Sequence, residues 1–191
     1  MRKRRMIRTF KPKPVEKEKI WRIIENANRS PSAGHLEPQE FIVVTHPTVK
    51  RRLAEAALNQ MFIAEAPVVI VVCADPRRNV WRYRERGRIF YCTIDGAFAS
   101  MLILLTAVDE GLGAAFIGAF DDKKVAEALD LPEEVRPIGI IPIGYSDEPP
   151  ERLGRRPLKE KVHFNQWGNQ ASTITDLKEK LVKRSTQDPV I

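Results

Sequence analysis

Apolar positions along the chain change period several times, and each change marks an element. In "PVEKEKIWRIIENANR" (14–29), Ile20, Ile23, Ile24 and Ala27 follow the i, i+3, i+4, i+7 spacing of an amphipathic helix, with Pro14 suited to its start. "QEFIVVT" (39–45) reads as a strand, followed by a helix from about Pro47 to Leu58 and a short second one near 60–65. "PVVIVVCAD" (67–75) is a continuous β-branched run, which predicts a strand buried on both faces. The arginine-rich stretch to Arg88 reads as a surface excursion. From Tyr91 to Glu110 the chain is apolar on nearly all sides, the mark of a helix packed in an interior, and Gly111 closes it.

Beyond that helix, "GAAFIGAF" (113–120) predicts a strand, "DDKKVAEALDL" (121–131) a helix capped by Asp121, and "RPIGIIPIGY" (136–145) another strand. A proline-rich loop (146–157) leads to a polar tail with one helical patch at 174–184. Several helices stand between successive strands. An α+β sandwich with a mixed sheet therefore fits at least as well as a parallel doubly wound fold. No internal repeat interrupts the pattern, and 191 residues suit one core.

Charge changes this picture at one place. The formal net charge is +7, and the basic residues of "MRKRRMIRTFKPKP" (1–14) account for all of the excess. The protein reads as a balanced body with a basic arm, not as a uniformly basic coat for nucleic acid. The start lacks the apolar stretch of a signal peptide, and the longest apolar run (96–108) falls short of the roughly 20 residues of a bilayer span. A cytoplasmic protein is expected, with Cys73 and Cys92 as buried free thiols. The content of charge, proline and Ile/Val suggests a thermophilic source.

The candidate chemistry is spread over short motifs. "GLGAAFIG" (111–118) looks like a dinucleotide fingerprint, but its glycines follow a helix and precede a strand, the reverse of the Rossmann order. A helix cap and a close-packed strand explain it. In "SPSAGHLEP" (30–38), small residues let the backbone approach a flat ligand, while the glycine pattern of a serine-hydrolase elbow is missing. His35 reads as a solvated or hydrogen-bonded loop histidine, and no residue cluster has the spacing of a metal site. "RLGRRPLKE" (152–160) offers Arg152, Arg155 and Arg156 either as anion ligands or as a solvated turn.

In order along the chain, "RRMIRTF", "SPSAGHLEPQEF", "APVVIVV", "GLGAAFIGAFD" and "GYSDEPPERLGRRPL" closely resemble the nitroreductase family of FMN-dependent oxidoreductases. The resemblance runs from about Arg4 to Trp167. It implies an α+β fold with a mixed sheet between helices, and an obligate homodimer with FMN at the interface. Residues 1–167 would form the flavin-binding domain, and 168–191 an extension that can pack on the partner. Arg4, Arg155 and Arg156 match positions that grip the FMN phosphate, and Arg5 and Met6 match positions lining the cofactor, Met6 where Ser is usual. Arg8 matches a basic position near the pyrimidine edge. Ser32, Ala33 and His35 match the loop lent by the partner, His35 where Asn is common. Asn59 or Gln60 matches an amide on the ring. Gly118 and Ala119 match the strand whose backbone N–H faces flavin N5.

No side chain is assigned as catalytic, since the cofactor carries the reactivity. The implied reaction is ping-pong: NAD(P)H reduces FMN, and a small acceptor such as a nitroaromatic or quinone then takes the electrons. The segment 77–88, with Trp81 and Tyr83, is the expected lid. Two other readings remain open at the level of sequence: a nucleic-acid-binding protein using the arm, and a flavin protein of the same family that is not a reductase.

Overall fold

The computed structural model describes residues 4–149, 154–170, 175, 176, 178 and 179. At its centre lies β2 (Val68–Ala74), in which every residue is buried. The pleat sends Val69, Val71 and Cys73 to one face and Val68, Ile70 and Val72 to the other, as the unbroken apolar run predicted. β2 pairs antiparallel with β1 (Gln39–Val44) and β4 (Arg136–Gly144), and β3 (Gly113–Ala114) joins the far edge of β4, giving the order β1-β2-β4-β3.

One face is covered by α2 (Pro47–Ala56), α3 (Phe62–Glu65) and α6 (Asp122–Leu129), through Leu53, Ile63 and Val125. The other is covered by α1 (Lys17–Asn28) and α5 (Cys92–Asp109), through Ile23, Ala27, Ala99 and Ile103. Each fully buried isoleucine contributes about 1.5–3 kcal/mol relative to an exposed one, so two apolar layers on one sheet suffice to fix the architecture. This is the expected α+β sandwich. Its strands are all antiparallel, and the parallel component comes from the N-terminal arm, where Met6 bridges Ala114.

Three expectations need correction. The strand expected over 113–120 ends as a continuous strand at Ala114, resuming only in a bridge between Ile117 and Ile140. Ala115 N donates to Pro142 O, but Pro142 has no N–H with which to continue the ladder. Gly118 and Ala119 thus lie in an exposed loop beyond the strand.

The excursion 77–88 is mostly helical: a 3₁₀ turn (Pro76–Arg78), then α4 (Val80–Arg86), broken where Arg84 adopts φ 50°. A π-helical turn (Gly87–Tyr91) joins α4 to α5, so the helical stretch Val80–Asp109 is 30 residues long; part of it is long and apolar enough for a membrane span, a property that core helices of globular proteins share. α5 is also not interior on all sides. Phe98 and Met101 are 47% and 48% exposed on the face opposite the sheet, with Ile94, Leu105 and Val108 half-buried along the same side.

Contacts divide the chain into two compact units, Met1–Glu151 and Arg152–Ile191. Within the second, a 3₁₀ turn (Leu158–Glu160) precedes a bridge between His163 and Gln170, and the His163 and Trp167 rings stack with centroids 4.3 Å apart. The helical patch expected at 174–184 falls largely outside the described residues.

Candidate functional site

The basic arm is stitched into the sheet edge. Ile7 N donates to Ala114 O, Lys11 N to Tyr145 O and Asp147 N to Thr9 O, at 2.8–3.1 Å. The Glu148 carboxylate accepts from the backbone N–H of both Arg8 and Thr9. Ile7 is buried and packs so closely on Gly113 that a Cβ there would lie 2.8 Å from its Cγ1. Lys13 is exposed and stands 4.0 Å over the Tyr145 ring.

This stitching alternates the arm's side chains. Ile7 turns inward, while Met6 and Arg8 remain exposed. Met6 Sδ accepts from Phe116 N at 3.4 Å, and the Arg8 guanidinium stands 6.0 Å over the Phe62 ring. Arg4 and Arg5 are half-buried, Arg5 Nη1 donating to Arg4 O at 2.7 Å. Arg4 Nη1 is shut off from solvent and has no hydrogen-bond partner among the described residues. Leaving a charged donor so placed costs several kcal/mol unless an anion reaches it.

The loops holding Asn59 and Gly118 run beside the arm. Leu58 and Asn59 both adopt left-handed backbone (φ 58° and 59°), and Asn59 is exposed. Asp121 N donates to Ala56 O, tying the loop after Ala119 to the end of α2, three residues before Asn59. Phe62 follows on the other side of Asn59 and carries Arg8. Gln60, the alternative amide, spends its Nε2 on Ala57 O and reads as a loop brace. Arg4, Arg5, Met6, Arg8, Asn59, Gly118 and Ala119 therefore sit on adjoining segments of one edge of the sheet.

The loop Ser32–His35 is held elsewhere, on α5 and α4. Asp95, buried in the first turn of α5, accepts from Ala33 N at 3.1 and 3.2 Å. Burial pushes its carboxyl above the usual range, partly offset by that bond. Tyr83 Oη and the Arg82 guanidinium close on Gly34 (φ 62°), where a Cβ would lie 2.5 Å from Tyr83 Oη, so the position has no room for a side chain. His35 is exposed, its Nε2 3.6 Å from Glu37. Arg155 and Arg156, in the second unit, are exposed, and their assignment rests on the resemblance alone. Cys73 and Cys92 are buried free thiols, as expected.

Sequence reasoning passed over Asp95 and Glu148. Glu148 gave no signal, lying in a polar loop. Asp95 did give one: it is the sole charge in "CTIDGAFASMLILLTAV".

A model of the nitroreductase family matches residues 1–65 and 57–145. This chain belongs to the nitroreductase family. Its body, from the stitched arm to the end of β4, is the nitroreductase part. An NADH dehydrogenase of Thermus thermophilus is 32% identical over 189 aligned residues, covering 84% of this chain and 91% of that protein. The solved structure of an FMN-dependent nitroreductase from Clostridium difficile is 33% identical, with a TM-score of 0.72 over 86% of this chain and 96% of its own. The NADPH:FMN oxidoreductase of Vibrio harveyi, solved with NAD+, is 26% identical with a TM-score of 0.79, over 95% of this chain and 81% of its own.

Proposed function

We propose that this nitroreductase takes hydride from NAD(P)H and delivers it to a small acceptor, a nitroaromatic or a quinone, in two half-reactions at one site. The class of enzyme is NAD(P)H oxidoreductase, and its cofactor is FMN. When bound, FMN supplies the two-electron chemistry.

The observation that carries the reading is Arg4 Nη1, a buried cationic donor lacking a partner among the described residues. A phosphate monoester, with nearly two negative charges and three acceptor oxygens, fits that donor. In this reading Arg4 holds the phosphate, and Arg5 and Met6 line the cofactor beside it. Arg8 adds positive charge at the ring, where it favours the reduced, anionic form. Asn59 and the exposed backbone N–H groups of Gly118 and Ala119 supply donors to the ring. Met6 substitutes a thioether for a hydroxyl and spends it on Phe116 N, so it contributes surface rather than a donor.

The partner subunit supplies a second copy of Ser32, Ala33 and His35. The apolar stripe of α5, led by Phe98 and Met101, supports a homodimer, because contiguous exposed apolar surface on a helix calls for a cover. A nucleic-acid role is disfavoured because the arm is hydrogen-bonded to the body at Ile7, Arg8, Thr9 and Lys11.

The test is the visible spectrum of the purified protein loaded with FMN. A yellow protein that bleaches with NADH or NADPH under nitrogen, and regains colour with a quinone, supports the reading. A flavin band that neither coenzyme bleaches would contradict it.

A further inference from the structure

The loop Ser32–His35 is bent in a way that its own sequence does not favour. Within four residues, Gly34, His35 and Glu37 have φ of 62°, 56° and 48°. For His35 and Glu37 each such residue is uphill, and such backbone persists only where its surroundings over-determine it. Inside the loop Ser32 supplies the braces, its Oγ accepting from Glu37 N and its O from His35 N, both at 3.1 Å. The other tie crosses 62 residues of sequence, from Ala33 N to both carboxylate oxygens of Asp95.

Asp95 is only 2% exposed, at the start of a helix otherwise packed on the sheet by apolar side chains. An acid there costs free energy in the fold, and burial has shifted its titration accordingly. A leucine would pack better and hold nothing. We infer that Asp95 is a positioning residue for cofactor binding: it pins Ala33 and so preforms the strained loop that the partner's flavin meets. From outside, Tyr83 and Arg82 press on Gly34, leaving His35 exposed at the tip. The inference rests on the flavin reading above. It adds that the loop is built before the flavin arrives, so binding does not have to order it.

The experiment combines FMN titration of the apo-protein, followed by quenching of flavin fluorescence, with amide hydrogen exchange across residues 30–38. Wild type, Asp95→Asn and Asp95→Ala are compared. Asp95→Asn keeps an acceptor for Ala33 N and should bind FMN within about threefold of wild type. Asp95→Ala removes it and should bind at least about tenfold more weakly, the loss expected for a hydrogen bond to a charged group, with faster exchange at Ala33 and unchanged exchange in β2. Equal FMN affinity in wild type and Asp95→Ala would overturn the inference while leaving the flavin reading intact. No FMN binding by wild type would overturn the flavin reading, and this inference with it. Should Asp95→Ala not fold, wild-type exchange decides alone: an Ala33 amide that exchanges as fast as an unstructured loop would refute the pin.

Discussion

The informative residues are those whose chemistry conflicts with their surroundings. Arg4 presents a buried donor without a partner among the described residues, and Asp95 an acid inside an apolar layer. Cys73 shows the same conflict without a function: burial on β2 pushes its thiol up to about 12. An unfolded thiol titrates near 8.5, so the folded state binds this proton more tightly than the unfolded one. The resulting stability is fully present below that value and is lost as pH rises from about 8.5 through about 12. Urea midpoints should therefore fall more steeply with alkaline pH in the wild type than in Cys73→Val, and native Cys73 should resist thiol reagents at pH 8. Much of the arm was legible as sequence, because the spacing of Arg4, Arg5 and Arg8 survives whatever the fold does. The role of Asp95 was not, because it depends on Ala33, which only the tertiary structure brings near.

At the scale of elements, periodicity located the strands and the helices packed on them, missed α4 in the arginine-rich excursion, and erred where backbone chemistry overrode pattern. β2 could be read on sight, since each of its residues faces a core. β3 could not: the apolar run to Phe120 looks continuous, and the interruption comes from Pro142 on the neighbouring strand. α5 was read as interior because its stripe of Phe98 and Met101 is as apolar as its buried face. The cap of α6 behaved as the sequence indicated, with Asp121 Oδ1 accepting from Lys123 N and Lys124 N at 3.0 and 3.2 Å. Asp121→Ala should cost about 1 kcal/mol in chemical denaturation. Asp121 ties the Gly118–Ala119 loop to α2 through its backbone N–H, which alanine keeps, so the same variant should bind FMN as the wild type does. A second element-scale prediction concerns Gly139, where a Cβ would lie 2.2 Å from the Phe116 ring. Gly139→Ala should destabilise the protein by about 1–3 kcal/mol and displace Phe116, seen as a lower urea midpoint.

For the whole molecule, a stitched arm, a pinned loop and an exposed apolar helix face are the parts from which the proposed dimeric flavin enzyme would be built. If α5 is the contact between copies, Met101→Glu should place an unpaired charge there and halve the mass seen by sedimentation. FMN retention should fall with it, since the loop at Ser32–His35 would no longer meet the other protomer's cofactor. The most direct measurement is calorimetric titration of FMN into apo wild type and into Arg4→Ala. The wild type should bind one FMN per protomer. Arg4→Ala should bind it at least about tenfold more weakly, as expected for the loss of a charge-assisted bond to phosphate, with riboflavin, which lacks the phosphate, binding both proteins equally. FMN binding of equal strength by wild type and Arg4→Ala would contradict the placement of the phosphate at Arg4.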